Sequence, residues 1–74
     1  MELSEKRLKA IGHAIAIERE RQGISQNQLA TMLGLTNNAY LSRVECGKQM
    51  PSMDLIFELA DIFDVQVNYF FTDI

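Results

Sequence analysis

The sequence predicts an all-α domain of five short helices, and three observations lead there. Apolar residues recur at three- and four-residue spacing along most of the chain. Gly23, Gly34 and Gly47 close three of these stretches, while Ser25, Thr36 and Ser52 stand ready as N-caps for the stretches that follow. The one segment apolar enough for a strand, Val65 to Phe71, has no second strand to pair with.

Helix one runs from about Glu5 to Gln22, because Leu8, Ile11 and Ile15 share a face and Gly23 supplies the stop. Ile17 falls off that face. Ser25 with Gln28 three residues on reads as a capping box, opening a second helix through Leu29, Ala30 and Leu33 to Gly34. Thr36 opens the third helix, in which Leu41 and Val44 form an i, i+3 apolar pair and which Gly47 ends. The loop from Gly47 to Pro51 leads to Ser52 and a fourth helix. Its Leu55, Ile56, Leu59, Ala60, Ile62 and Phe63 give the broad apolar face of a buried central helix. Asp64 breaks that run, and Val67 to Phe71 reads as a short fifth helix. Met32, Met50 and Met53 are expected to fill gaps in the packing.

A chain of 74 residues, 47% hydrophobic, has material for one core and reads as one domain over residues 1–74. With 23% charged residues and a single proline, Pro51, it has no disorder signature. No apolar run approaches the roughly 20 residues of a membrane span, and no signal-peptide core is seen at the N-terminus, so a cytoplasmic protein with no membrane partner is expected. Cys46, alone, cannot close an intramolecular disulfide, and with the one histidine, His13, it cannot form a zinc site. No metal and no cofactor is expected. No carboxylate pair, nucleophile with base or phosphate-cradling glycine loop has a catalytic spacing, so an enzyme is not expected either.

The net charge of −3 divides unevenly. Residues 1–48 hold seven Lys/Arg against five Asp/Glu, or +2, and residues 49–74 hold none against five, or −5. A polyanion would therefore approach the first part of the chain.

Two short helices joined by a glycine-containing turn are what a helix-turn-helix requires: the first braces on the DNA backbone while the second enters the major groove. Ala30 and Gly34 are read as letting the pair, over about residues 25–46, approach closely. The spaced residues are Arg19, Gly23-Ile24-Ser25-Gln26, Leu29-Ala30, Gly34-Leu35-Thr36, Tyr40-Leu41-Ser42, Val44-Glu45, Gly47-Lys48, Pro51-Ser52, Leu55, Leu59-Ala60, Val65, Val67 and Phe70. Together they resemble the lambda-repressor and Cro-like family of helix-turn-helix transcriptional regulators, over nearly the whole stretch from Ile11 to Phe71. The resemblance implies a five-helix lambda-repressor-like DNA-binding domain with double-stranded DNA as partner. It further implies that Gln26 faces the DNA backbone, where a solvated side chain is the alternative, and that Arg19 and Glu45 form a structural ion pair tying helix one to the end of the recognition helix.

Helical geometry places base-facing residues opposite Leu41 and Val44: Ala39, Ser42, Arg43 and Cys46, with Asn38 at the edge and Asn37 at the helix start. Arg43 suits guanine O6 and N7, Asn37 and Asn38 suit adenine, and Ala39 can meet a thymine methyl; turn and capping chemistry is the competing role for the asparagines. Five residues separate Gly34 from Tyr40, where relatives have four, so the turn is wider or the third helix starts early. Counting from Gly34 makes Asn37 and Asn38 the readers; counting back from Glu45 makes them Asn38 and Ala39. Tyr40 can offer its hydroxyl to a phosphate or bury its ring, and Lys48 and Gln49 are further backbone candidates. Cys46 reads as a buried or tolerated thiol and His13 as a surface histidine.

The expected protein is a homodimeric repressor reading a palindromic operator in a prokaryotic or phage setting, with Tyr69, Phe70, Phe71 and Ile74 as candidate dimer contacts. An antitoxin or adaptor with a protein partner is the alternative.

Overall fold

The computed structural model describes residues 4–72 and contains four α-helices, α1 (Glu5–Arg21), α2 (Gln26–Met32), α3 (Ala39–Glu45) and α4 (Met53–Phe63), followed by a 3-10 segment, Val67–Phe71. The dimer candidate Ile74 lies outside the described residues. No helix among them is long and apolar enough to cross a membrane.

Serines open three of the helices. Ser4, Ser25 and Ser52 each take an extended backbone and accept an N–H from the first turn of α1, α2 and α4. At α2 the capping box is complete: Ser25 Oγ accepts the Gln28 N–H at 3.0 Å, and Gln28 Oε1 accepts the Ser25 N–H at 2.8 Å. The third helix departs from expectation. Thr36 does not cap it; Asn38 is the N-cap residue, without a side-chain bond, and Asn37 Oδ1 instead accepts the Ala39 N–H at 2.9 Å. An asparagine reaching two residues on offers the helix start the same acceptor that threonine would, from a position nearer the first turn.

All four helices end on a left-handed residue, Gly23, Gly34, Gly47 or Asp64, and two backbone N–H groups fold back: Gly34 to Thr31 O with Leu35 to Ala30 O at α2, and Gly47 to Val44 O with Lys48 to Arg43 O at α3. At α4 the left-handed position falls to Asp64 (φ 57°), the one non-glycine residue with positive φ among the described residues. That turn stops α4 and sends the chain back toward the core.

The fifth helix is a correction in kind. Val67–Phe71 is a 3-10 segment, with Tyr69 N–H bonded to Gln66 O at 3.0 Å. Five residues leave too few i→i−4 bonds to offset nucleation, and the tighter turn suffices to deliver Phe70 inward. Phe70 is 1% exposed and stacks obliquely on Phe63 and edge-on to Tyr69, with centroids 6.4 and 5.5 Å apart. It is therefore core and cannot contact a second subunit; Tyr69 and Phe71 pack against the core while remaining partly accessible.

The core takes Ile11 and Ile15 from α1, Leu29 and Ala30 from α2, Leu41 and Val44 from α3, and Leu55, Ile56, Leu59, Ala60 and Phe63 from α4. Ile17, off the stripe, is exposed. The methionines are a second correction: Met32, Met50 and Met53 all project to solvent rather than fill gaps, because the branched and aromatic residues already close the core. Gly34 is a third. A side chain there would meet nothing within 4 Å, so its role is the left-handed turn and not close approach. Close approach is the work of Gly12, which packs on the backbone of Val44 and Glu45 where α1 crosses α3.

Candidate nucleic-acid interface

With Leu41 and Val44 fully buried, α3 turns its other face outward: Ala39 and Arg43 are exposed, Ser42 half-buried, and Cys46 exposed at the helix end. His13, on α1, is also exposed. α2 stops at Met32 and α3 starts at Ala39, so Asn37 and Asn38 both precede the first residue of α3. Asn37 thus lies before the helix with its carbonyl spent on Ala39, while Asn38 stands at the helix mouth.

One carboxylate ties three helices together. Glu45, at the end of α3, accepts Arg19 Nε at 2.8 Å and Arg19 Nη2 at 3.1 Å, and Gln26 Nε2 at 2.9 Å. Arg19 Nη1 goes on to the carbonyl of Ile24 at 2.7 Å. The side chains of Arg19 and Glu45 are only 13% and 6% exposed, so this forked pair is shielded from solvent. Hydrogen bonding to Glu45 raises the Arg19 pKa, outweighing the cost of its burial. The consequence is geometric: the entry to α2 and the exit of α3 keep a set spacing, and Gln26, with one amide N–H on Glu45, keeps its second amide N–H as a donor.

Two further contacts were not legible in the sequence. Asn38 Nδ2 donates to Asn27 Oδ1 at 2.8 Å, linking the first turn of α2 to the mouth of α3. Arg43 Nε donates to Gln49 Oε1 at 2.7 Å across the turn that follows α3. Both depend on the path of a turn, and neither partner carries a signal in residue type or spacing that would have found them. Tyr40 is also occupied: its ring is half-buried and its hydroxyl accepts the Ser52 N–H at 2.9 Å, keeping its own proton to donate elsewhere. Lys48 is exposed, its backbone N–H closing the turn at the end of α3.

Charge is segregated in space as along the chain. Arg43 and Lys48 lie on or beside α3, whereas Asp54, Glu58 and Asp61 are exposed on α4. Among the described residues no group of three or more His, Cys, Asp or Glu is placed to hold a metal ion.

Comparison with known proteins matches this arrangement. A family model described as helix-turn-helix covers residues 15–70. Among solved structures, the restriction-modification controller protein C.AhdI from Aeromonas hydrophila is 30% identical, superposes with a TM-score of 0.77, and is matched over 85% of this chain and 94% of its own. A hypothetical transcription factor, NHTF, from Neisseria is 25% identical with a TM-score of 0.77, over 95% of this chain and 82% of its own. A comparison with curated proteins finds none that matches.

Proposed function

The chain belongs to the helix-turn-helix family of Cro/C1-type DNA-binding transcription regulators, and from that premise we propose that it acts as a homodimeric repressor that lays one α3 in each of two successive major grooves of a palindromic operator. The observation that carries this reading is the exposed face of α3, with Arg43 at its centre, set on a scaffold locked by Glu45. Arg43 reads guanine through a forked pair of hydrogen bonds, and Asn38, Ala39 and Ser42 line the groove beside it. Asn37, its carbonyl already engaged, contributes through its amide N–H groups. Gln26, Lys48 and the Tyr40 hydroxyl address phosphates on either side.

A dimer interface fits the acidic half of the chain. Phe57 and Met53 are about half exposed on α4, at 54% and 50%, and Tyr69 and Phe71 are partly accessible on the 3-10 segment. The same exposed Phe57, ringed by Asp54, Glu58 and Asp61, favours a second reading, in which an antitoxin or adaptor role attaches this face to a different protein.

Selection of bound sequences from a random duplex library, at fixed salt and with Arg43→Ala in parallel, tests the first reading. A palindromic motif whose base preference relaxes in the variant supports a sequence-reading dimer. No enriched sequence with either protein rejects it and leaves the protein-partner reading.

A further inference from the structure

Gln49 lies outside α3, yet it makes the one side-chain hydrogen bond that Arg43 has among the described residues, from Arg43 Nε to Gln49 Oε1 at 2.7 Å. We infer that Gln49 is a positioning residue for base reading: it occupies the inner N–H of Arg43 so that the guanidinium presents its two terminal nitrogens, end-on, to the groove. The inference rests on the reading of Arg43 proposed above.

A guanidinium can grip a guanine edge in two ways, side-on through Nε and one terminal nitrogen, or end-on through both terminal nitrogens. With Nε engaged, the end-on fork is the one that remains. The long arginine side chain is exposed and free to sample many rotamers, so an anchor at Nε removes part of the cost of ordering it on DNA.

The anchor is itself held. The loop carrying Gln49 begins at Gly47, where Gly47 N–H bonds Val44 O at 3.0 Å and Lys48 N–H bonds Arg43 O at 2.9 Å. Gly47 is buried against Lys9 of α1, with no room for a side chain. Two residues beyond Gln49 the buried Pro51 takes the chain inward, and the Ser52 N–H is fixed on the Tyr40 hydroxyl at 2.9 Å. Position 49 is therefore pinned from both sides to α3, the helix whose arginine it holds. A glutamine here supplies a neutral acceptor, which steadies Arg43 without cancelling the charge that draws it to DNA.

The test extends the library selection to Gln49→Ala and Gln49→Glu, with full-length protein and thermal unfolding as a folding control. The expected result is that Gln49→Ala unfolds at the wild-type temperature and weakens discrimination by about fivefold at the one base pair that Arg43→Ala also affects, a loss on the scale of one hydrogen bond. Gln49→Glu, which keeps an acceptor, retains that discrimination while binding all duplexes more weakly. A uniform weakening across all sequences by Gln49→Ala would instead make Gln49 a phosphate contact and overturn the inference, as would no change at all. An unchanged motif in Arg43→Ala removes the reading of Arg43 first, and the inference with it.

Discussion

Gly12 in α1 rests against the backbone carbonyl of Val44 in α3, with no space between them for even a methyl group. The helix that carries the proposed reading face is thereby seated on α1, the longest of the described helices, through backbone contact. Backbone cannot swing aside as a flexible side chain can, so Gly12→Ala must separate the two helices. The expected cost is about 3 kcal/mol, the upper end for overpacking, read as a lowered midpoint in chemical denaturation. A variant as stable as wild type would show that α1 and α3 can part without loss.

The Arg19–Glu45 fork invites a double-mutant cycle. Removing either partner strands a shielded charge, and each of Arg19→Met and Glu45→Leu should cost about 3 kcal/mol. The double variant should be no less stable than either single one, since two apolar side chains pack where two charges stood. Strictly additive losses would mean that the pair is solvated and that Glu45 serves mainly as an acceptor for Gln26.

The same contacts mark the boundary of what the sequence discloses. Serine caps with Gln28, the glycine stops and the Leu41/Val44 pair are local, acting within a turn or two of chain, and α1, α2 and α4 were legible from them to within about two residues. The family resemblance supplied the Arg19–Glu45 pairing. What stayed hidden depends on how elements meet. Gly12 sits mid-helix with no turn to explain it, and its purpose exists only where α3 crosses. Gln49 and Asn27 act through the paths of two turns, and Phe70 could not be told apart from Tyr69 and Phe71 until the chain reversed at Asp64 and set its phase.

Asp64 offers a stabilising substitution. It holds the left-handed position that glycine takes at the ends of the other three α-helices, a conformation that disfavours residues with a Cβ. Asp64→Gly should therefore raise stability by about 0.5 kcal/mol, after allowance for the added freedom of the unfolded chain. It also removes one negative charge from the acidic half. A fall in the unfolding midpoint would mean that the Asp64 carboxylate has a stabilising role of its own.

Phe70 and Phe71 should separate stability from association. Phe70→Ala empties a site that is 1% exposed between Phe63 and Tyr69, and should cost about 4 kcal/mol. Phe71→Ala should cost less than half of that, and Phe57→Ala almost nothing, since its ring is already half in water. Sedimentation of Phe57→Ala and Phe71→Ala at micromolar concentration then reports on the proposed dimer with folding intact. Weakened self-association is expected for both; an unchanged sedimentation rate in both would move the interface elsewhere.

Tyr69 predicts how the fold responds to alkali. Burial is the main reason its phenol is raised above the ordinary value of 10.0, and the Glu18 carboxylate adds to this, partly offset by Arg21. Glu18 is itself 5% exposed and held by Arg21 Nη1 at 3.0 Å and Gln22 Nε2 at 2.8 Å, while the same Gln22 nitrogen reaches Phe63 O at 2.8 Å. Ionising Tyr69 would thus place a second negative charge beside the join between α1, the end of α4 and the 3-10 segment. The folded state favours the protonated phenol, so its contribution to stability is complete below pH 10 and is lost as pH rises through the higher folded pKa. In Tyr40→Phe, where Tyr69 is the one remaining tyrosine of two, tyrosinate absorbance should have its midpoint above 10. Tyr69→Phe should in turn lessen the loss of stability in that alkaline range. A midpoint at or below 10 would mean that the phenol is open to water and that Glu18 does not reach it.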